Sequence, residues 1–320
     1  MPTSPALSSC WCSPRHKDGC DMLKEMAGLG FQRAELSHGI RISLVPGILK
    51  AVEERVISIS STHNFCPLPM GAFQAAPNLF QPSSSDHRER DQWLRQTKRT
   101  IDFAVQVGAS LTVCHLGSVP YLWFEPGRPV DAYLEKHPDA AKAKDKAFEA
   151  MVAKALAKVR RKMPPYWQNT QDCLKAALEY AQGKNISLGL ENREKIEELP
   201  IDADFPSFLS SMPQPSAGGY WHDAGHAHLK ERMGLISHRE QLVQNADRLL
   251  GFHLHDVVDD RDHQPIGTGT IDFAMVSSFW REGHHLVIEL SPRVDEPGIL
   301  SSKAAVEALL RPRGQPGSPG

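Results

Sequence analysis

A closed (β/α)8 TIM barrel, with a helical insertion after its fourth strand, is the α/β fold that this sequence predicts. Three observations predict it. Short apolar runs alternate with longer amphipathic stretches eight times along the chain, the pattern of βα units in a parallel sheet. Six of the eight runs lead into histidine or carboxylate residues, and barrels of this kind carry their chemistry at the C-terminal ends of the strands. The segment after the first run, Cys12 to Lys17, lacks the Gly-rich phosphate loop common in a doubly wound open sheet, which also usually has fewer strands.

Taken in order, the predicted strands cover 7–12, 33–37, 56–61, 111–115, 186–191, 219–223, 250–255 and 285–290. Cys10 and Cys12 form a Cys-x-Cys in the first, which strand alternation explains without a metal. The helices predicted to follow the strands cover 19–28, 45–54, 86–107, 169–183, 205–212, 238–248, 273–282 and 302–310. The seventh has Thr270 or Asp272 as its cap. The fourth unit departs from the pattern, because about fifty residues separate His115 from the helix near Asn169. This insertion, about 118–166, contains Phe148, Met151, Val152, Ala155, Leu156 and Val159 at helical spacing for one apolar stripe. Pro164-Pro165 is expected to end its helix. Loops after strands sit on the active-site face, so the insertion is expected to wall the site or serve a partner subunit. Trp123, Phe124, Tyr166 and Trp167 border it and offer aromatic faces for a sugar or a lid.

Length and composition are compatible with one barrel domain over 1–310 and a Pro/Gly-rich, disordered tail over 311–320. The hydrophobic fraction of 41% and charged fraction of 23% suffice for a sizeable core. Lys and Arg total 36 against 38 Asp and Glu, a net charge of −2, so no overall positive field favours nucleic acid. The six cysteines are scattered and no basic segment leads into an apolar run at the N-terminus. Reduced thiols and a cytoplasmic location are therefore expected. No apolar run reaches the roughly 18 residues of a membrane span.

The strand ends carry the chemistry. The third run leads into His63, the fourth ends on His115 and the fifth on Glu191; the sixth reaches Asp223 with His226 and His228 beyond it. The seventh holds His253 and His255, and the eighth Glu289. Three carboxylates and an imidazole without a thiolate suit a hard or borderline divalent cation, with Mn²⁺, Mg²⁺ and Co²⁺ foremost and Zn²⁺ compatible. Packed in one cavity without a cation, the three carboxylates would force proton uptake. The alternative is pairing with Arg193, Arg293 or Lys230, which lie close in sequence. His253 and His255 flank Leu254, so both side chains point to the same side of a strand, one free to ligate and the other to touch substrate. In the polar loop 259–273, Gly267 and Gly269 allow a tight turn, and His263 is a second-site ligand, a substrate contact or an exposed loop residue. Glu35 and His38 extend the rim at the second strand, where Arg33 or Arg41 offers Glu35 a salt bridge.

HDAGHA around Asp223 and His226, FHLHD around His253, and DHQPIGTGTIDF over 262–273 give the chain a family resemblance, supported by CHLGS and GLEN. Over nearly its whole length, apart from the insertion and tail, it resembles the xylose isomerase-like TIM-barrel superfamily, which contains sugar-phosphate isomerases and epimerases and the family 2 AP endonucleases. The resemblance implies a divalent metal held by Glu191, Asp223, His253 and Glu289. It implies that Glu191 and Glu289 act as an acid/base pair that moves a proton through an enediolate on a small carbohydrate. His63, His115, His226, His255 and His263 are then expected substrate contacts, and a homo-oligomer is expected. A metal-dependent lyase or dehydratase on a sugar derivative is the neighbouring alternative. His63, His115, His226 and His263 also match the further histidines of the endonuclease's three-zinc site. However, Arg261 stands where that pattern places an aspartate, and Asp260 and Asp262 only flank it.

Overall fold

The computed structural model describes residues 4–212 and 217–311; the tail expected to be disordered lies, apart from Arg311, outside them. Seven strands run β1 Ala6–Ser8, β2 Arg33–Leu36, β3 Ser58–His63, β4 Leu111–Cys114, β5 Ser187–Glu191, β6 Gly218–Asp223 and β7 Leu249–Leu254. A hairpin follows, β8 Asp256–Val258 and β9 Arg261–Gln264, and then the last barrel strand, β10 His285–Ile288. The closed barrel has the order β1-β10-β7-β6-β5-β4-β3-β2, with parallel neighbours throughout. The fold class is the one predicted.

The helices among the described residues are α1 Gly19–Gly28, α2 Val45–Glu53, α3 His87–Gln106, α4 Arg128–Leu134, α5 Lys146–Lys162 and α6 Pro164–Gly183. They continue with α7 Phe205–Ser211, α8 Ala224–Arg232, α9 His238–Asn245, α10 Phe273–Ser277 and α11 Glu296–Leu310. Asp side chains cap many of the N-termini: Asp18 accepts from the Cys20 and Asp21 N–H groups, and Asp272 from Met275. None of the helices is long and apolar enough to cross a membrane.

Several boundaries differ from the sequence expectation. The first strand stops at Ser8, because its last ladder bond is Ser9 N–H to the Glu35 carbonyl; beyond it the chain turns, with Ser13 N–H donating to the Ser9 carbonyl at 2.8 Å. Cys10 and Cys12 therefore sit in that turn rather than alternating along a strand. Cys12 is buried, which pushes its thiol up to about 12. Pro164 and Pro165 begin α6 instead of only ending α5, as proline suits the first helical turn, where its missing N–H costs nothing. Helix α8 was not anticipated, since the run HDAGHAHLKER spans a strand end and a helix with no connecting loop.

Inside the barrel, Ala6, Leu111, Val113, Trp221 and Val287 form a small apolar cluster beneath the polar mouth. Trp221 fills this floor, and glycine on both neighbouring strands makes room for it. A Cβ at Gly251 would come within 2.5 Å of the indole, and one at Gly189 within 3.1 Å. The inserted helices make a cluster of their own, where Phe148, Val152, Ala155 and Val159 of α5 pack against Val130 and Leu134 of α4 and against Ile196, Leu199 and Ile201 after β5. The expected stripe is thus buried in the insertion, with Met151 and Leu156 at its half-buried edge. Tyr166 and Trp167 join that packing, while Trp123 and Phe124 are exposed.

Candidate metal centre

Parallel pairing brings the strand ends into one ring. Asp223 at the end of β6 is the register partner of His253 on β7, and Glu289 follows β10 with its N–H donating to the Leu254 carbonyl. Glu191 closes the group from β5. One ligand atom from each of Glu191, Asp223, His253 and Glu289 lies within 4.8 Å of the other three, and all four residues are buried. His253 Nδ1 is central, at 3.0 Å from Glu191 Oε1, 3.1 Å from Glu289 Oε2 and 3.8 Å from Asp223 Oδ2.

The two histidines of FHLHD have different surroundings. His255 Nδ1 accepts from the His263 backbone N–H at 2.9 Å, which leaves Nε2–H to donate to Asp223 Oδ2 at 3.0 Å. It steadies a carboxylate and stands outside the four-residue cluster. Its ring presses so closely on Gly225 that a Cβ there would lie 2.1 Å from a ring carbon, a physical reason for the glycine of HDAGHA. Asp223 has two tasks, since its Oδ1 also caps α8 by accepting the His226 N–H at 2.8 Å.

The electrostatics follow from this packing. Burial alone would raise the Glu191 carboxyl, but the imidazoles of His115, His253 and His63 outweigh it and hold the group well below the carboxylate range. Against the same burial, His253 and His263 hold Glu289 well down, and His226 and His255 do so for Asp223. Burial would lower His253, yet the charges of Glu289 and Glu35 and its bond to Glu191 keep it well above an ordinary imidazole. His115 goes the other way, to about 4, through burial and the Arg193 guanidinium.

The remaining candidates surround these four. His115 Nε2 lies 2.7 Å and His63 Nε2 3.4 Å from Glu191 Oε2, so both face the glutamate. His226 Nδ1 bonds the Asn192 carbonyl at 3.0 Å, and its Nε2 looks toward Asp262 Oδ2 at 3.9 Å. His263, in the left-handed region at φ 55°, stacks on His255 at 4.4 Å and reaches within 3.7 Å of Glu289.

Of the alternative counterions, only Arg193 approaches the cluster, 3.5 Å from Glu191 and 3.1 Å from Glu198. Lys230 is turned away onto Asp202 at 2.5 Å, because its helix buries it under α9. The polar loop expected over 259–273 begins within the β8–β9 hairpin, whose Asp259 and Asp260 both take positive φ as a tight two-residue turn requires. In that hairpin Arg261 stands at the exposed rim near Asp259, and Asp262 turns toward Glu194 and His226 to form a second acidic cluster. The Gly267 and Gly269 N–H groups hold the Asp256 carboxylate at 3.0 and 2.9 Å, which makes this Gly-x-Gly an internal clasp.

Sequence reasoning underrated Glu35. Its carboxylate is fully buried inside the barrel, accepting from Ser8 Oγ at 3.1 Å, Ser61 Oγ at 2.8 Å and His253 Nε2 at 3.2 Å. The expected Arg33 or Arg41 partnership gives way because β2 aims the side chain inward; Arg41 bonds the Ser13 and His16 carbonyls instead. The available signal was its place at a strand end, the same rule that picked out Glu191. Because Glu35 takes Nε2–H, Nδ1 is the His253 atom left to face a cation. Substituting Glu35→Ala is expected to weaken metal affinity by about 10- to 100-fold, measured by titration of the stripped protein, and unchanged affinity would remove Glu35 from this role.

Residues 23–297 match the family model described as xylose isomerase-like TIM barrel. Among solved structures, a D-tagatose 3-epimerase-like protein is similar at 17% identity and a TM-score of 0.65, over 96% of this chain and 97% of that one. An L-ribulose 3-epimerase is 15% identical with a TM-score of 0.62, over 98% and 89%. D-psicose 3-epimerase from Clostridium cellulolyticum H10, solved with D-tagatose, is 10% identical with a TM-score of 0.63, over 96% and 98%. At these identities the structural likeness speaks for the fold. No curated protein matches the chain.

Proposed function

Because this chain belongs to the xylose isomerase-like TIM-barrel family, we propose that it is a metal-dependent isomerase or epimerase acting on a small sugar or related hydroxy-carbonyl compound. The observation that carries this reading is the buried convergence of Glu191, Asp223, His253 and Glu289 at the barrel mouth. The donor set fits a divalent cation on two grounds. Three carboxylates and one imidazole match the preferences of Mn²⁺, Mg²⁺ or Co²⁺. Glu191 Oε2 is also buried without an aligned hydrogen bond, despite the imidazoles and guanidinium nearby, as an atom reserved for a cation would be.

When bound, the cation would supply Lewis acidity that makes the carbon beside a substrate carbonyl more acidic. The protein's part is proton handling. Glu289 lines the open cavity and stays ionised, so it is suited to take the proton from one face of the substrate. Glu191, ionised at rest beside three imidazoles, would return a proton on the other face after taking one from His63, whose imidazole Glu191 holds above its ordinary value against burial. Arg193, fixed by Glu198, keeps Glu191 oriented. His63 and His115, beside Glu191, are the proposed contacts to substrate oxygens.

Incubating the metal-loaded protein with ketoses in D₂O is expected to place deuterium on a carbon next to the carbonyl. Absence of exchange, with loss of mass from the substrate, would point to the lyase instead. One observation favours a second reading: the Glu194, His226 and Asp262 cluster supplies the inward carboxylate that the sequence pattern lacked. Metal analysis separates the two, because about one ion per chain suits the isomerase and three zincs with cleavage of abasic DNA suit the endonuclease.

A further inference from the structure

The cavity at the barrel mouth extends past the proposed metal centre into a region with no assigned role. It encloses about 830 Å³, and Glu289 and His263 face it from the metal side. Arg41, Arg261 and Arg293 also line it. The carboxylates on its walls are Asp262 and Glu289, and both are already engaged by histidine, at 3.0 Å to His263 and 3.1 Å to His253. Neither is committed to an arginine.

Among the described residues, none of the three guanidinium groups is neutralised by a buried carboxylate. Arg41 is tethered through Nη2 to the Ser13 and His16 carbonyls, which fixes its place but leaves its charge. The carboxylate nearest Arg261 is Asp259, 3.6 Å away and 83% exposed, so water screens that pair. Arg293 has no ion pair among the described residues. Three like charges around one cavity repel unless an anion joins them, and guanidinium forks match the oxygens of phosphate and carboxylate.

A second, independent feature points to a ligand in the same place. Ser13, only 1% exposed, has a hydroxyl with no hydrogen-bond partner, and Nδ1 of His38 is likewise buried and unpartnered. Both residues line the cavity. The Ser13 hydroxyl lies 3.0 Å from where a Cβ on Gly39 would stand, so the glycine keeps the space beside it open. Buried polar atoms without partners are rare in folded proteins, and a ligand is one way to satisfy them.

We propose that the substrate is an anionic sugar derivative whose phosphate or carboxylate is held by Arg41, Arg261 and Arg293, while Ser13 Oγ and His38 Nδ1 bond its intervening hydroxyls. This rests on the reading above for the reacting end of the substrate. A neutral sugar would leave the guanidinium groups uncompensated and would not require them.

The test is calorimetric titration of the metal-loaded protein with D-fructose, D-fructose 6-phosphate, D-glucuronate and inorganic phosphate. At least one charged sugar is expected to bind about tenfold or more tightly than D-fructose. The Arg293→Gln and Arg261→Gln variants, altered at exposed positions, should each lose about tenfold for that ligand and bind D-fructose as before. A preference for the phosphate ester assigns a phosphate, and one for glucuronate assigns a carboxylate. Equal binding of neutral and charged sugars overturns the proposal, as does unchanged affinity in both variants. Inorganic phosphate binding without preference among the sugars would mark an anion site apart from the substrate and overturn it too. If the charged sugar binds but no deuterium enters it, the isomerase reading fails while the anion site stands.

Discussion

Glutamine in place of Glu289 is expected to lower turnover by about 10²- to 10⁴-fold, the range for losing a positioned general base. Glu289 is the one member of the four-residue cluster that lines the cavity, so a substrate meets its carboxylate directly. The amide preserves shape but can neither accept the substrate proton nor balance the charge on His253, 3.1 Å away. Loss of metal alone would mimic this result, so metal content and turnover must be measured on the same preparation. Asp223→Asn is the control: it removes a ligand without removing either proposed acid/base group, and excess metal should partly restore it. If Glu289→Gln turns over like the parent, the acid/base assignment is wrong.

Stripping the metal is expected to have the second large effect, and its size should depend on pH in a defined direction. Glu191, Asp223 and Glu289 are depressed, so their contribution to stability is present above about pH 4 and is lost as pH falls through their folded values. His253 and His263 are raised, so theirs is complete below about pH 6.5 and is lost as pH rises through their folded values. The contribution of these five groups in the metal-free protein should therefore be greatest near pH 5 to 6 and weaken toward alkaline pH. A bound cation would take the place of the His253 Nδ1 proton and would keep the carboxylates compensated. At about 100 times the dissociation constant it adds roughly 2.7 kcal/mol, a shift of several degrees in Tm. The Tm gap between loaded and chelated protein should widen from pH 6 to pH 8.5, and calorimetry in buffers of different ionisation enthalpy should detect proton release on binding. A gap that is constant or narrows with pH would sink this account of the cluster.

Local signals in the sequence were enough for the barrel. Apolar runs the length of strands, separated by amphipathic segments, can bury their faces only in a layered α/β arrangement, and the strand-end rule then selected Glu191, Asp223 and Glu289. The errors came where one residue serves two elements or where a turn changes direction. Asp223 ends β6 and caps α8 at once, so no loop signal announced the helix. Asp262 looked like a mere neighbour of Arg261, and only the hairpin turn at Asp259 and Asp260, both at positive φ, brings it beside Glu194 and His226.

By itself the sequence determined the eightfold βα pattern, the buried stripe of α5 and the chemical character of the strand ends. These depend on hydrophobic periodicity and residue type, which are local properties. The separate roles of His253 and His255, the burial of Glu35 behind the former, and the arginine-lined cavity were decided by tertiary structure alone. Period-2 geometry aims both histidines to one side of a strand, and their difference arises from what barrel closure sets beside each: Glu35 from β2 against one ring, the His263 backbone against the other. Such contacts join residues more than 200 positions apart as well as near neighbours, and nothing in a linear pattern encodes which atom of a ring they leave free.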